Sequence, residues 1–241
     1  MNKLPDKGNL PKEGYPNPTV DFSFVLASSV RDMKDSLSML LITLAAMMEK
    51  SPPADAEQAK FFSTLEYEAA RINGELVQLL SLYQMDEQSL GMHIDEHYVI
   101  DVIDEQVARN DTLFNIRKLN IRVECDANLV WYFDNEMIGG VLNNLLVNCA
   151  RYGQNQLLVS ACIENDFLCI SVADDGTGYP ESMLEDPSPQ VGASFGSSNT
   201  RLGLLFARKV LALHRSKKGQ GYLVLANNSL LGGGVIKLYL P

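Results

Sequence analysis

Val141-Leu142-Asn143-Asn144-Leu145-Leu146-Val147-Asn148-Cys149-Ala150-Arg151-Tyr152, followed further on by Val172-Ala173-Asp174-Asp175-Gly176-Thr177-Gly178-Tyr179-Pro180, decides the fold of this 241-residue chain. Asn144 and Asn148 are four apart, so on a helix they stack on one face, while Val141, Leu142, Leu145 and Leu146 supply the buried side. A carboxamide oxygen is a hard, neutral ligand suited to Mg²⁺, which binds through few protein groups alongside substrate phosphates. Arg151, one turn on, offers phosphate oxygens a guanidinium fork. The second piece follows an alternating strand, Phe167 to Val172, and ends in Asp-Asp-Gly-Thr-Gly, where Gly176 and Gly178 permit close backbone approach. A buried Asp174 at that strand end is placed to accept the exocyclic amine of adenine. Singly, an Asn pair decorates a helix and an Asp-Gly pair is a turn. In this order and together they point to a nucleotide site.

The Asn-x-x-x-Asn helix, the Asp-x-Gly-x-Gly turn and Thr200-Arg201-Leu202-Gly203-Leu204 before a helix resemble the ATP-binding domain of sensor histidine kinases, over about Gly91 to Pro241. By this resemblance Asn148 would hold Mg²⁺, Asn144 and Arg151 would face the phosphates, and Asp174 would read adenine. Leu202, Gly203 and Leu204 would close the far wall, and Tyr152, Gly176 and Gly178 complete the ATP-binding set. The helix beginning near Leu202 would aim its positive end at the phosphates. The family usually has two further glycines in this last motif, where this chain has Asn199 and Arg201.

Upstream, Phe24, Val30, Met33, Leu37, Leu40, Leu41, Leu44 and Met48 recur at threes and fours, predicting an amphipathic helix that Ser51-Pro52-Pro53 stops. A second helix is expected from about Ala54, with Phe62, Leu65, Ala69, Ile72, Leu76, Leu79, Leu80 and Tyr83 as its stripe. A lone hairpin cannot bury both outer apolar edges, so pairing with a second copy into a four-helix bundle is the economical solution. The expected fold is α+β: an antiparallel helical hairpin, a four-helix bundle in a homodimer, followed by an α/β sandwich ATP-binding domain. The expected boundaries are a flexible arm over 1–19, the dimerisation hairpin over 20–88 and the ATP-binding domain over 89–241.

In the histidine kinase family the first hairpin helix carries a phosphoaccepting histidine followed by an acid, and four places after the histidine an Asn or Thr. The surroundings match in Ala27-Ser28-Ser29-Val30-Arg31-Asp32-Met33-Lys34-Asp35, but Arg31 stands at the histidine place. A guanidinium stays protonated at physiological pH and has no free lone pair to attack phosphorus. Asp32 matches the acid that serves as general base, and Asp35 takes the place of the amide or hydroxyl. Arg31 and Asp35 share a helical face and are expected to pair, worth ~0.2–0.5 kcal/mol when exposed. His93 and His97 have the spacing of metal ligands on a helix, but with no third ligand evident they read as plain surface residues. His214 follows the third motif, off the hairpin. Asp134 is expected to cap the Asn-bearing helix, and Leu157 to Ile163 and Phe167 to Val172 to form a hairpin across Glu164-Asn165-Asp166. Pro180 to Asn199, rich in Ser, Gly and Pro, reads as a mobile lid or ordinary disorder.

A net charge of −10 argues against nucleic acid and anionic membrane as partners. The longest nearly apolar run, Leu37 to Met48, is too short to span a bilayer, so no membrane insertion is expected. Four cysteines without CxxC spacing read as reduced, packed thiols of a cytoplasmic protein. The reading is a two-component signalling protein that binds Mg-ATP and is degenerate in autophosphorylation at the usual position. It would act through a response-regulator receiver domain or another histidine kinase. Two alternatives stay open: an active histidine kinase phosphorylating a histidine elsewhere or in a partner, and a phosphotransfer hub without ATP use.

Overall fold

The computed structural model describes residues 22–86, 91–185, 198–227 and 229–241. The expected arm over 1–19 and most of the segment expected as a lid, Pro180 to Asn199, lie outside them. Two long helices come first, α1 (Phe22–Lys50) and α2 (Ala56–Asp86), packed against each other across the Ser51-Pro52-Pro53 break. The start of α2 falls two residues later than Ala54 because Asp55 caps it. Asp55 Oδ1 accepts the Gln58 N–H at 2.8 Å, and Gln58 Oε1 accepts the Ala54 N–H at 2.7 Å. This reciprocal arrangement satisfies donors that the first helical turn cannot use internally.

The remaining elements are β1 (Asp95–Tyr98), α3 (Val99–Arg109), α4 (Asp111–Arg117), β2 (Asn120–Cys125), β3 (Val130–Phe133) and α5 (Asn135–Tyr152). After these come β4 (Gln156–Glu164), β5 (Phe167–Asp174), α6 (Glu181–Glu185), α7 (Ser198–Leu213), β6 (Arg215–Ser216), β7 (Gly219–Gln220), β8 (Tyr222–Ala226) and β9 (Val235–Leu240). A five-stranded sheet runs in the order β2-β4-β5-β9-β8, parallel only between β2 and β4. The β4–β5 hairpin turns where expected, at Asn165 and Asp166, with φ of 50° and 66°. Positive φ at both central residues matches the turn to the right-handed twist of the strands.

Alternation along β4 and β5 aims Leu157, Val159, Leu168, Ile170 and Val172 at one layer of helices. There they join Ile138, Val141, Leu142, Leu145 and Leu146 of α5 and Ala207, Val210 and Leu211 of α7 in one core. Leu82 and Met85 at the end of α2 extend that core toward the hairpin, and α2 packs on α7. The architecture is thus a helical hairpin followed by an α/β domain with helices on one face of a mixed sheet.

Three expectations about particular residues are corrected. Asp35 pairs with its neighbour Lys34, at 2.9 Å, and not with Arg31 one turn away. His97 sits on the strand β1, so the helical spacing supposed for His93 and His97 does not exist. Cys162 is exposed rather than packed, while Cys149 and Cys169 are buried. Among the described residues no three His, Cys, Asp or Glu side chains gather as a metal set, and no helix is long and apolar enough to cross a membrane.

Candidate nucleotide site

Helix α5 carries the carboxamides, and its start is fixed from three directions through Asp134. The Asp134 side chain accepts the Met137 N–H at 3.0 Å, capping the helix as expected, and the His93 N–H at 2.9 Å. Its own N–H donates to Nε2 of His214 at 3.0 Å, while Nδ1 of that ring meets the Val210 carbonyl at 2.9 Å. Those two contacts require the neutral ring with its proton on Nδ1, and burial lowers the His214 pKa in agreement. The histidine thus ties the end of α7 to the beginning of α5.

On the exposed side of α5, Asn148 donates to the Asn144 oxygen at 3.4 Å. Its own carboxamide oxygen meets no donor among the described residues. Nδ2 of Asn144 is buried without an acceptor and lies against Gly203 of α7, so closely that any Cβ there would overlap it. The glycine of the third motif is therefore required by helix packing as well as by any ligand. Strand β5 delivers Asp174, 5% exposed, beside the end of α5. Its Oδ1 takes the N–H groups of Gly176 at 2.8 Å and Gly234 at 3.4 Å; its Oδ2 takes none among the described residues. Burial raises the Asp174 pKa, opposed by those two N–H groups. Gly176 sits where a Cβ would strike the Tyr152 carbonyl, and Gly178 has φ 76°.

Beside Asp174 opens a pocket of about 200 Å³, lined by Asn148, Tyr152, Asp174, Gly178, Tyr179 and Leu204, among others. A second cavity, of about 440 Å³, lies between α2 and the α4–α5 side and is lined by Asn144, Asn148 and Arg151 from α5. Asn148 lines both, so the two spaces meet at its carboxamide. The apolar pocket with one buried carboxylate suits a heteroaromatic base, and the polar cavity with a guanidinium suits a phosphate chain.

Of the residues singled out in the sequence, Asn144, Asn148, Arg151, Tyr152, Asp174, Gly178, Gly203 and Leu204 gather here, with Gly176 shaping the turn. Leu202 instead packs against the core. Helix α7 begins at Ser198, earlier than Leu202. Arg31, Asp32 and Asp35 on α1 line neither cavity. Sequence reasoning missed Asn227, whose side chain accepts the Tyr179 N–H at 2.6 Å and donates to the Tyr179 carbonyl at 2.7 Å, pinning the Gly178–Tyr179 turn. It also missed Cys149 and Met183 in the pocket wall. Burial, with the nearby Cys149 and Asp174, pushes the Tyr179 phenol up and keeps it protonated.

Residues 133–241 match the family described as histidine kinase-, DNA gyrase B-, and HSP90-like ATPase. The sensor histidine kinase YkoH of Bacillus subtilis is 30% identical over 65% of this chain and 36% of its own length. A probable sensor histidine kinase of Mycobacterium tuberculosis is 24% identical over 80% of this chain and 49% of its own. The chain thus spans about a third to a half of these relatives. In fold it resembles the Acinetobacter baumannii histidine kinase AdeS, with a TM-score of 0.57 at 17% identity over 86% of this chain and 95% of that one. Full-length ShkA, solved in complex with AMPPNP, gives 0.65 at 14% identity over 91% of this chain and 46% of that one. Residues 133–241 are therefore a domain of the histidine kinase-, DNA gyrase B-, and HSP90-like ATPase type, in a chain similar to sensor histidine kinases.

Proposed function

We propose that this chain binds Mg-ATP between α5 and the Asp174 turn, does not autophosphorylate at the usual position, and acts through its partners in two-component signalling. The observation that carries the reading is Asp174, a buried carboxylate in the wall of a base-sized pocket beside Asn148, whose Oδ2 accepts no hydrogen bond from the described residues. A buried acceptor left unpaired is costly, and an exocyclic amine removes that cost. Asn148, through its free carboxamide oxygen, would hold Mg²⁺, which would screen the phosphate charge. Asn144 and Arg151 would orient the phosphates, and Tyr152 and Leu204 would exclude water from the base.

A fluorescent ATP analogue, titrated with and without Mg²⁺, tests this. Affinity is expected to fall at least about tenfold without the metal, and Asn148→Ala is expected to lose most of that metal dependence; tenfold corresponds to about 1.4 kcal/mol. Equal binding by both proteins with and without Mg²⁺ would remove Asn148 from the role given to it.

Residues 20–88 serve in this reading as the dimerisation hairpin. Large apolar side chains stand open along it: Met39, Leu40 and Ile42 are 63–64% exposed on α1, and Phe61 and Leu65 are 66% and 58% exposed on α2. So large an apolar surface marks an interface, and a second copy can bury it as a four-helix bundle. Light scattering at micromolar concentration should give twice the chain mass; a monomer there contradicts the assignment. The partner fitting this family is a response-regulator receiver domain or the hairpin of an active kinase, in the cytoplasm.

A further inference from the structure

We propose that Arg71, on the second hairpin helix, is a ligand for the terminal phosphate of the bound nucleotide, held in reserve by Glu68 and Glu75. The inference rests on the Mg-ATP reading above and names a residue from outside the nucleotide domain. Arg71 lines the cavity of about 440 Å³ from the α2 side, facing Asn144, Asn148 and Arg151 on α5, with Arg109 of α3 also in the wall. A nucleotide whose base sits on Asp174 passes Asn148 and extends its phosphates into this space. The hairpin wall it meets is α2, and among the described residues none of α1 lines either cavity.

Arg71 is the one cation that α2 contributes to that lining. Its Nε donates to Glu68 at 2.7 Å and its NH1 nitrogen to Glu75 at 2.6 Å. Both are pairs along one helix, at i−3 and i+4, with side chains 24%, 49% and 31% exposed for Arg71, Glu68 and Glu75. Such pairs along one partly exposed helix face are weak. A terminal phosphate carries more charge than either carboxylate and matches the guanidinium fork, so it outcompetes them. Glu66 and Glu75 on the same wall disfavour an anion until Arg71 turns toward it. Ligation would then tie the hairpin to the nucleotide domain for a triphosphate and not for a diphosphate, giving the hairpin a means to report which nucleotide is bound.

The test measures the affinity of the full chain for a non-hydrolysable ATP analogue and for ADP, both with Mg²⁺, in the unaltered protein, Arg71→Ala and Glu75→Gln. Arg71→Ala is expected to weaken the triphosphate about tenfold, as for a lost hydrogen bond to a charged group, and to leave ADP unchanged. Glu75→Gln, an isosteric change on a half-buried helix face, is expected to strengthen the triphosphate and leave ADP unchanged. An Arg71→Ala protein whose two affinities are both unchanged, or both fall together, overturns the proposal while the Mg-ATP reading stands. If the unaltered chain binds neither nucleotide, that reading fails and the role of Arg71 with it.

Discussion

Asp174→Asn should weaken binding of an adenine nucleotide by roughly 30- to 100-fold, or about 2–3 kcal/mol, while leaving the protein at least as stable at neutral pH. The substitution retains an oxygen for the Gly176 and Gly234 N–H groups but replaces Oδ2 with an amide nitrogen, which meets the base amine donor to donor. Stability runs the other way. Burial raises the Asp174 pKa above its unfolded value, so the ionised group opposes folding. Its contribution is most favourable below the unfolded carboxylate pKa and is lost as pH rises through the folded value. At pH 7 the neutral amide removes that penalty, and thermal unfolding should show an unchanged or higher midpoint. A midpoint lowered by many degrees would mean that Asp174 is chiefly a structural acceptor. Unchanged affinity would mean that it does not read the base.

With γ-labelled ATP, the unaltered chain should take up no acid-labile label, whereas Arg31→His combined with Asp35→Asn should gain it. The argument is chemical. An arginine at position 31 has no lone pair at physiological pH, and a carboxylate at position 35 repels an approaching phosphoryl group. The imidazole restores a nucleophile beside Asp32, and the amide removes the negative charge of Asp35, which is 63% exposed and, among the described residues, paired with Lys34. Rate is expected to rise from none to measurable turnover, the largest change in this account. Acid-labile label on the unaltered chain would favour the alternative of an active kinase using another histidine. No label on the double variant, despite nucleotide binding, would place a further defect in the third motif at the start of α7, where Asn199 and Arg201 replace the usual glycines.

The site was legible where its chemistry is local. Asn144, Asn148 and Arg151 are fixed relative to one another by a helical repeat, and Asp174 by the end of a strand, so spacing predicts where their side chains lie, while the roles proposed for them come from the family resemblance. The cap at Asp134 was legible for the same reason. What escaped depends on contacts across the chain. Asn227 pins Tyr179 from the far end of β8, and nothing near either residue announces the pairing. His214 holds Asp134 through its ring, although a helix-terminal histidine has no local signature of that duty. The short β6–β7 hairpin and the short helix α4 fall in stretches with weak periodicity. The Arg31–Asp35 pair failed because spacing shows which side chains share a face, and an adjacent lysine was available as competitor. Helix α2 began after its cap rather than at the first apolar residue, a signal that Asp55 and Gln58 did carry.

Crystals soaked in a non-hydrolysable ATP analogue with Mg²⁺ would test the central assignment most directly. The account predicts an adenine amine on Oδ2 of Asp174, the metal against Asn148, and phosphates running past Asn144 toward Arg151. An empty pocket beside Asp174, or a nucleotide bound elsewhere on the chain, would contradict it.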